Sequence, residues 1–492
     1  MVKSYFFGAG GAVSAFDVAS QVPTMFYDQH VGGMLSSALV PVFSDYARPE
    51  DRKELWRLLS FLLSLMTLVL GGFVLLVELA SPWIAQMLGK GLDPHYLNLS
   101  AAMLRITAPA VFFLNVAGLL SGALYALQRF ALPAFTAAIY NATMVLIVIL
   151  FGRGVLGARA LALGLLIASI AQVTFQLPGL RGARLRFRSP FPLHPALIKV
   201  GQLYLPIGLG LLVDQFAVAL SFNIASRTGE SGIAWMKYAA TLIQFPLGLV
   251  VTAVSVAILP MLSRYAAKAD DDAFRATLAQ GLRLVLILVL PAAMGLLVMA
   301  EPLVALILQR GQFLPADTIA TAQALRFSIL GLVFAALDQP LIFAFYARKD
   351  TWTPALVGVG TVVFYIGTAL VPTLLHEPRL SELILANSLK LTAHALLMLY
   401  LFTRKVGSLQ PHRVGRTTSL ALGASVGMVI PIAGTLFLLQ GVVPSGALGY
   451  LIRILAASGV GALVYILLLR WMGVEEVTLL RRAFRRQPTV EV

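Results

Sequence analysis

The chain contains no cysteine and few charged residues. Without cysteine, neither a disulfide nor a thiolate metal site can form. Charged residues make up 12% of the 492 residues and hydrophobic residues 59%, whereas a soluble domain carries about 25% charged residues. Acidic residues are the scarcer kind, with 22 against 37 basic ones. These shortages indicate a membrane protein.

No sequence pattern for catalysis or cofactor binding is present. The chain has no HExxH or phosphate-binding P-loop pattern, and its six histidines lack the spacing of metal ligands. The GAGG at residues 8–11 follows no buried strand and is typical of a loop. We therefore predict no catalytic residue, no metal site and no cofactor. An integral-membrane enzyme is a weaker hypothesis than a transporter.

Long uncharged stretches recur along the whole chain. Residues 58–77 carry no charge and are long enough to cross a hydrocarbon core of about 30 Å. We predict an all-α polytopic membrane protein with about thirteen transmembrane helices. The predicted spans cover residues 11–45, 58–88, 98–126, 131–151, 155–178, 195–226, 232–262, 280–308, 318–346, 353–374, 380–403, 417–440 and 447–472.

Basic residues are concentrated in alternate loops. The net charge is +15, and clusters lie near residues 48–57, 181–199, 264–283 and 404–416. This alternation is typical of the positive charges that stay on the cytoplasmic side, and it favours a membrane protein over a nucleic-acid partner. The C-terminus is then cytoplasmic. An odd number of spans puts the N-terminus outside without a signal peptide, so we expect a start codon assigned too late or a lost first helix.

The chain carries an internal duplication. Loop residues recur at offsets of 219 to 221 residues, which apolar runs shared by all polytopic proteins do not explain. The offset covers an even number of spans, so we predict parallel lobes related by an axis along the membrane normal. The matched pairs are Pro41 with Pro260, Ser44 with Ser263, Tyr46 with Tyr265, Pro82 with Pro302, Tyr125 with Tyr346 and Pro133 with Pro354.

The duplication sets the predicted domain limits. We expect an N-terminal lobe at residues 1–180 and a C-terminal lobe at residues 195–405, joined by a basic, proline-rich linker. Residues 412–473 have no partner in the repeat and are predicted to form a C-terminal pair of transmembrane helices. Residues 474–492 are predicted as a basic cytoplasmic tail.

Several polar side chains fall inside the predicted spans. Charged groups at bilayer depth are costly and face a cavity or one another. Short acidic side chains cannot reach the interface as lysine and arginine do, so they indicate a water-filled cavity. The alternative places each group at a helix end in bulk water. The candidates are Asp17, Asp28, His30, Arg105, Asp214, Gln244 and Asp338, while Lys237, Arg326 and Lys390 are assigned to the interface. We expect Asp28, His30, Asp214 and Gln244 to share one water-accessible space.

Prolines also fall inside the predicted spans. Each removes a backbone hydrogen bond and favours a kink, which is either a static bend or a hinge for alternating access. These residues are Pro109, Pro206, Pro246, Pro291 and Pro340.

A series of specific motifs runs along the chain. The segments are FGAGGAVSAFDVASQVP from Phe7, YAATLIQFPLG from Tyr238, AILPMLSRYA from Ala257, RGQFLPADTIATAQALRFSILGL from Arg310 and FYARKDTWTPA from Phe345. Together they resemble the MurJ/MviN lipid II flippases, of the multidrug/oligosaccharidyl-lipid/polysaccharide exporter superfamily, over nearly the whole chain. The resemblance implies two lobes of about six helices and a C-terminal pair that forms a lipid-tail groove.

The resemblance also implies a function and partners. It implies that the protein moves a lipid-linked peptidoglycan precursor of the undecaprenyl-pyrophosphate type from the inner to the outer leaflet of the bacterial cytoplasmic membrane. Membrane lipids and a coupling cation are the further expected partners. Relative to the family's pattern, the first helix, with its cavity arginines, is absent here.

Other positions depart from that pattern as well. Family cations thought to bind the pyrophosphate are replaced by Tyr27, Asp28 and Thr241, which makes Thr241 a further candidate residue. Many members carry amide side chains linked to sodium binding near the positions of Tyr365 and Ala369, and no such residues appear there in this chain. Removing paired cations weakens the binding of a phosphate. The alternatives are therefore export of another lipid-linked oligosaccharide or of an amphipathic cation, which the acidic residues favour, and a non-transporting scaffold for envelope synthesis.

Overall fold

In the computed structural model every regular element within the described residues is a helix. The structure describes residues 1–31, 43–44, 46–48, 50, 52–183, 212–444 and 446–474, with the backbone alone for residues 26–31. None of these residues lies in a β-strand, which confirms the all-α prediction. Two compact units are formed. Unit 1 is Met1–Ala234 with Gly311–Phe313, and unit 2 is Trp235–Arg310 with Leu314–Val492.

Unit 1 is built around the helix α2. This helix packs on α5 and α6, while α7 packs on α8. Phe16, Met103, Leu104 and Leu165 are among the buried side chains of this core, whose burial stabilises the unit. The helices are α1 (Val2–Phe7), α2 (Gly11–Val31), α3 (Arg52–Leu79), α4 (Ser81–Gly89), α5 (Pro94–Thr107), α6 (Ala110–Ala126), α7 (Ala131–Phe151), α8 (Arg159–Gln176) and α9 (Leu212–Ser226).

Unit 2 is built around the helix α14. This helix packs on α12 and α16, and the final helices α17 to α19 pack against α12 and α13. Phe274, Phe345 and Phe402 are buried together in its core. The helices are α10 (Gly232–Pro246), which begins at the boundary between the units, α11 (Thr252–Ala267), α12 (Asp271–Val298), α13 (Ala300–Leu308), α14 (Pro315–Ala347), α15 (Trp352–Leu375), α16 (Leu380–Lys405), α17 (Val414–Gly427), α18 (Val429–Gln440) and α19 (Ala447–Trp471).

The helices repeat in the register that the loop residues predict. Helices α3 and α12 both have 28 residues and begin 219 positions apart. The short helices α4 and α13 both have 9 residues. The stretches Pro94–Ala126 and Pro315–Ala347 both have 33 residues and begin 221 positions apart. The duplication is thus present in the helix limits as well as in the sequence.

The turn after this stretch repeats in detail. Gln128 and Lys349, which lie 221 positions apart, both have a left-handed backbone, with φ of 60° and 61°. The amide of the next residue donates to a carbonyl five positions back in both copies, from Arg129 to Leu124 and from Asp350 to Phe345. A left-handed backbone at a helix end costs free energy for any residue that has a Cβ. Its recurrence at Gln128 and Lys349 therefore indicates one shared backbone design.

Proline changes the helices differently in the two copies. Pro109 separates α5 from α6, whereas Leu330 occupies the corresponding position in the uninterrupted α14. After Pro246 the backbone passes through the π-helical turn Leu247–Val251 before α11. A proline ring removes one backbone donor, and a π-turn is one way in which a helix accommodates the loss.

Eleven helical stretches within the described residues are long and apolar enough to cross a membrane. They correspond to eleven of the predicted spans. The other two predictions, residues 11–45 and 195–226, contain α2 and α9 and extend into residues that are not described. The total of about thirteen is compatible with this result. The domain limits at residues 180, 195, 405 and 412 stay predictions.

Candidate transport site

Asp17 of α2 forms an ion pair with Lys3 of α1. The Lys3 Nζ atom lies 2.8 Å from Oδ1 and 3.0 Å from Oδ2 of Asp17. The Asp17 side chain is 5% exposed and that of Lys3 22%. The ammonium also lies over the ring of Phe16, at 5.9 Å. Asp17 is therefore buried with a countercharge and is not a carboxylate open to an external cation.

Arg105 of α5 is anchored to the short helix α4. Its Nε atom donates to Oγ of Ser81 over 2.9 Å, and the side chain is exposed. Arg326 stands 221 positions later, at the corresponding place in α14. The repeat therefore places one arginine on the same register position in each unit.

The four residues of the predicted shared space lie on α2, α9 and α10. Asp28 and His30 belong to the end of α2, but their side chains lie outside the described residues. Asp214 is exposed on α9 in unit 1. In unit 2, Thr241 and Gln244 are exposed on α10, and the Thr241 hydroxyl donates to the Lys237 carbonyl of its own helix over 2.9 Å. The shared space stays a prediction.

Asp338 of α14 is paired with His394 of α16. The Nδ1 atom of His394 lies 2.7 Å from Oδ1 of Asp338, and the two side chains are 12% and 15% exposed. A Cβ added to Gly358 of α15 would lie 3.9 Å from Nε2 of His394, so three helices surround the imidazole. One turn away on α16, Lys390 lies 6.0 Å above the ring of the buried Tyr365. Unit 2 thus holds a polar group of side chains within its spanning helices.

Residues of the RGQF motif hold helix ends in place. Gly311 has a φ of +62°, and a Cβ there would meet the Tyr5 carbonyl oxygen at 2.1 Å. The next amide, of Gln312, donates to that same carbonyl over 3.1 Å. Asp317 accepts from the Leu314 amide and from the Trp235 indole, both over 3.0 Å. This part of the motif serves the fold rather than a binding site.

Asp350 of the second motif caps α15. It accepts from the amide of Thr353 over 3.0 Å and from Nζ of Lys405 over 2.8 Å. Burial alone would raise the pKa of Asp350, but hydrogen bonds from Lys405 and Thr353 outweigh it and hold the pKa below its usual value. In unit 1 the corresponding Arg129 instead donates to a backbone carbonyl, that of Gly179.

Three cavities in the described part of unit 2 adjoin its C-terminal helices. One, of about 360 Å³, is lined by Arg326, Arg453, Glu301 and further residues of α13, α14, α18 and α19. A second, of about 340 Å³, is apolar and is lined by residues of α12, α18 and α19 together with Phe245. A third, larger groove of about 680 Å³ runs between α12, α14, α16 and α17 and is mostly apolar.

The sequence alone missed several of these groups. Lys3 and His394 were not predicted as site residues, and Arg326 was assigned to the interface. The recurrence of arginine at positions 105 and 326 was the available signal for Arg326. Arg453 lies in a part of the chain without a repeat partner, so no comparable signal existed. Among the described residues, no group of three histidine, cysteine or acidic side chains could hold a metal ion.

The family model described as "Lipid II flippase MurJ" matches residues 3–457. The chain belongs to this family. A probable lipid II flippase MurJ of Vibrio cholerae is 30% identical over 374 residues, covering 74% of this chain and 71% of the relative. One from Haemophilus influenzae is 27% identical over 462 residues, covering 88% of each chain. The resemblance stated from the motifs is therefore confirmed, and the family is one of transporters rather than enzymes.

Solved structures show the same fold. A structure titled "Lipid II flippase MurJ, inward closed conformation" aligns with a TM-score of 0.78 at 22% identity, over 99% of this chain and 96% of the other. An inward-facing multidrug transporter of the MATE family aligns with a TM-score of 0.72 at 12% identity, over 83% and 94%. Family membership and the apolar helices together make the chain a multi-pass protein of the bacterial inner membrane.

Proposed function

We propose that the chain translocates a lipid-linked peptidoglycan precursor from the cytoplasmic to the outer leaflet by alternating access. The observation that carries the proposal is the family match over residues 3–457. The relatives are named lipid II flippases, and the chain spans most of their length. The repeated helix register supports it further, because many transporters are built from two structural repeats.

Moving such a precursor across the membrane requires the spanning helices to lower the free-energy cost of its polar headgroup. A lipid-linked precursor has a large polar headgroup, and a charged group at the bilayer centre costs about 2.5–3.5 kcal/mol or more. Polar side chains along a wet path lower that cost. We assign this role to Asp28, His30, Asp214, Thr241 and Gln244. The exposed positions of Thr241 and Gln244 on α10 support the assignment.

A coupling cation is part of the proposal, and we assign it to the pair Asp338 and His394. The imidazole nitrogen and the carboxylate oxygen lie 2.7 Å apart, which is hydrogen-bond distance, and a proton can pass between two such groups. We therefore name a proton as the coupled ion. The nearby ionisable groups are Tyr346 on the same helix, which interacts electrostatically with Asp338, and Lys390 on α16.

The orientation rests on the basic loops. We place the C-terminus on the cytoplasmic side, because Arg404, Lys405 and Arg470 lie in the last turns of α16 and α19. Cations near helix ends that are followed by basic loops favour the cytoplasmic face. The same orientation puts the short helices α4 and α13 toward the outer side.

Two other functions are kept as alternatives. The first is export of another lipid-linked oligosaccharide or of an amphipathic cation, and the acidic residues in the spans favour the cation. The ion pair of Asp17 with Lys3 removes one of these acids from the argument. The other alternative is a scaffold for envelope synthesis that does not transport.

Rescue of a bacterium depleted of its lipid II flippase tests the proposal. The chain carries a C-terminal tag so that its amount in the membrane is measured alongside growth. We expect growth to be restored and lipid II to become accessible to a lipid II-cleaving enzyme added outside. Normal membrane levels without rescue would overturn the proposal, and export of a cationic dye by the same cells would support the first alternative.

A matched variant separates transport from scaffolding. Asp338→Asn removes the carboxylate of the coupling pair and keeps the size of the side chain. A transporter that needs this pair loses rescue at unchanged membrane levels. A scaffold that does not transport restores neither growth nor outside accessibility of lipid II, whether or not Asp338 is substituted.

A further inference from the structure

Two arginines face one cavity near the ends of α13, α14, α18 and α19. This cavity of about 360 Å³, here called the arginine cavity, is lined by Arg326, Arg453, Glu301, Gln309, Gln440 and Tyr450 among others. All of these residues belong to unit 2. The arginine cavity therefore exists within one compact unit and does not depend on how the two units are arranged.

Arg326 lies within a spanning helix without a countercharge. It is in α14, eleven positions after the first residue, Pro315, and is partly buried. In the part of the chain that the structure describes, it has neither an ion pair nor a hydrogen bond. A guanidinium stays charged in proteins, and arginine in spanning segments faces a cavity or a partner. Arg326 thus has its charge directed at the arginine cavity with no protein anion bound to it.

Arg453 of α19 is held by the loop before its helix. Its guanidinium donates to the carbonyls of Val443 and Gln440, and it lies 5.8 Å from the ring of Tyr450. Its Nε atom is buried and has no acceptor among the described residues. A buried donor without an acceptor is unfavourable, and an anion that entered the cavity would satisfy it.

The charge of the arginine cavity fits a single negative charge. Two guanidinium groups face it together with one carboxylate, that of the exposed Glu301. One planar guanidinium group can donate two parallel hydrogen bonds to two oxygens of a phosphate, which a lysine ammonium group does not do. A net charge of about one positive unit matches a phosphodiester better than a pyrophosphate, because a pyrophosphate carries more negative charge. The volume lies at the low end of the range for small-ligand sites, about 300–1,000 Å³.

An apolar groove adjoins the arginine cavity. It has a volume of about 340 Å³ and is lined by Met299, Met428, Ile432, Gly461 and other mostly apolar residues. Val298 lines the arginine cavity and the next residue, Met299, lines the groove. A charged subsite beside an apolar one suits an amphiphile, since the groove would bury a hydrocarbon chain.

We propose that the arginine cavity binds the phosphodiester of an anionic glycerophospholipid of the membrane, with an acyl chain in the adjoining groove. In the orientation proposed above, this lipid belongs to the outer leaflet. The arginine cavity contains no residue of the transport path assigned to α2, α9 and α10, while the groove is bordered by Phe245 of α10, which follows Gln244 of that path. It would tie the C-terminal helix pair to α13 and α14 through a lipid.

Lipid binding by the purified full chain tests this proposal. The chain is delipidated, and its melting temperature and bound lipid by native mass spectrometry are measured with added phosphatidylglycerol. We expect phosphatidylglycerol to raise the melting temperature, and Arg326→Gln and Arg453→Gln each to lower its affinity about tenfold or more. Arg105→Gln, at the corresponding repeat position outside the cavity, should bind it as the parent chain does.

Three further arms identify the ligand. Phosphatidylcholine has the same phosphodiester without net charge and should bind more weakly. Millimolar inorganic phosphate should not displace phosphatidylglycerol, and displacement would mean a site for a free anion. If undecaprenyl pyrophosphate binds more tightly than phosphatidylglycerol and with the same dependence on both arginines, the cavity is a substrate subsite and the proposal is wrong.

Protein stability is controlled separately. Arg326→Lys and Arg453→Lys keep the charge but lose the paired donors, so they should fold and bind with intermediate affinity. Unchanged phosphatidylglycerol affinity in all four arginine variants would overturn the proposal. None of these measurements requires transport, so they stand whether or not the chain rescues a flippase-depleted cell.

Discussion

His394 Nδ1 lies 2.7 Å from Asp338 Oδ1, and each side chain comes from a different spanning helix of unit 2. The pair is 12% and 15% exposed, so little water screens it. Removing one partner from such a pair leaves the other as an uncompensated polar group. The pair therefore joins α14 to α16 through buried polar side chains.

The first prediction is that transport depends on this protonation. Asp338→Asn and His394→Gln should each lower precursor flipping in proteoliposomes and remove its dependence on an imposed pH gradient. The reason is that neither variant can exchange a proton within the pair. His376→Gln is the matched control, because His376 lies just after the end of α15 with its side chain 43% exposed, where it faces Glu382 at 3.5 Å. If both variants keep the full dependence of flipping on the pH gradient, the assignment of the pair as the proton site is wrong.

The second prediction concerns the ion pair of Lys3 and Asp17. Lys3→Met should destabilise unit 1 by about 3–5 kcal/mol, because it leaves the buried Asp17 without its partner. The double variant Lys3→Met with Asp17→Asn should recover most of that loss. Melting temperatures of the purified chain measure both effects, with Lys90→Met at an exposed position as the control. If the double variant also rescues depleted cells, Asp17 serves stability and not transport.

The third prediction concerns Asp350 at the end of α15. Its pKa is lowered in the folded chain, so its stabilising contribution is present above the unfolded pKa of about 3.9 and is lost as the pH falls through the lower folded value. Asp350→Asn should therefore destabilise the chain by about 0.2–1 kcal/mol at neutral pH, because it loses the ion pair with Lys405. The difference in melting temperature between the two chains should shrink below about pH 4. A difference that is independent of pH would exclude the link to Lys405.

The fourth prediction concerns Gly311 in the RGQF motif. Gly311→Ala should destabilise the chain by about 1–3 kcal/mol or more, because its Cβ would meet the Tyr5 carbonyl at 2.1 Å in a left-handed backbone. Gly157 is the matched control. It has a φ of +50° with nothing within 4 Å of an added Cβ, so Gly157→Ala meets only the backbone penalty. Equal losses of melting temperature would show that the close approach to Tyr5 is unimportant.

Much of the fold could be predicted from the sequence because membrane spans are a local property. A long apolar run must form a helix in hydrocarbon, and this argument identified all eleven described spans. The loop residues fixed the repeat, and the equal lengths of α3 and α12 follow from it. Helix limits were less accurate. The predicted span 58–88 is divided at Ala80 between α3 and α4.

The candidate site was less predictable because pairing is a tertiary property. Asp338 and His394 lie 56 positions apart, and only the packing of α14 on α16 brings them together. Lys3 and Asp17 lie on adjacent helices, but the register of two helices joined by a turn does not follow from composition. Arg326 was read alone as an interface residue, although the repeat relates it to Arg105. The pattern locates polar groups in the spans, while the neighbours of each group decide its role.

The last prediction is that Asp28, His30, Asp214 and Gln244 face one water-accessible space. Single cysteines at these positions can be labelled cleanly, because the chain has no cysteine of its own. A lone carboxylate in contact with lipid would cost several kcal/mol or take up a proton, whereas a wet space removes that penalty. We expect a membrane-impermeant thiol reagent to label all four positions from one preferred side. A lipid-linked precursor should block the labelling at all four.

Two control cysteines calibrate this experiment and test the orientation. Leu75→Cys on α3 has a side chain 61% exposed in a spanning helix, so it should contact lipid and resist the reagent from both sides. Val155→Cys, in the fully exposed turn after α7, should react only from outside if the C-terminus is cytoplasmic. If the four positions resist the reagent from both sides, as residue 75 should, the shared space does not exist. The transport path assigned to α2, α9 and α10 would then have no support, because a headgroup cannot follow a path that water does not reach.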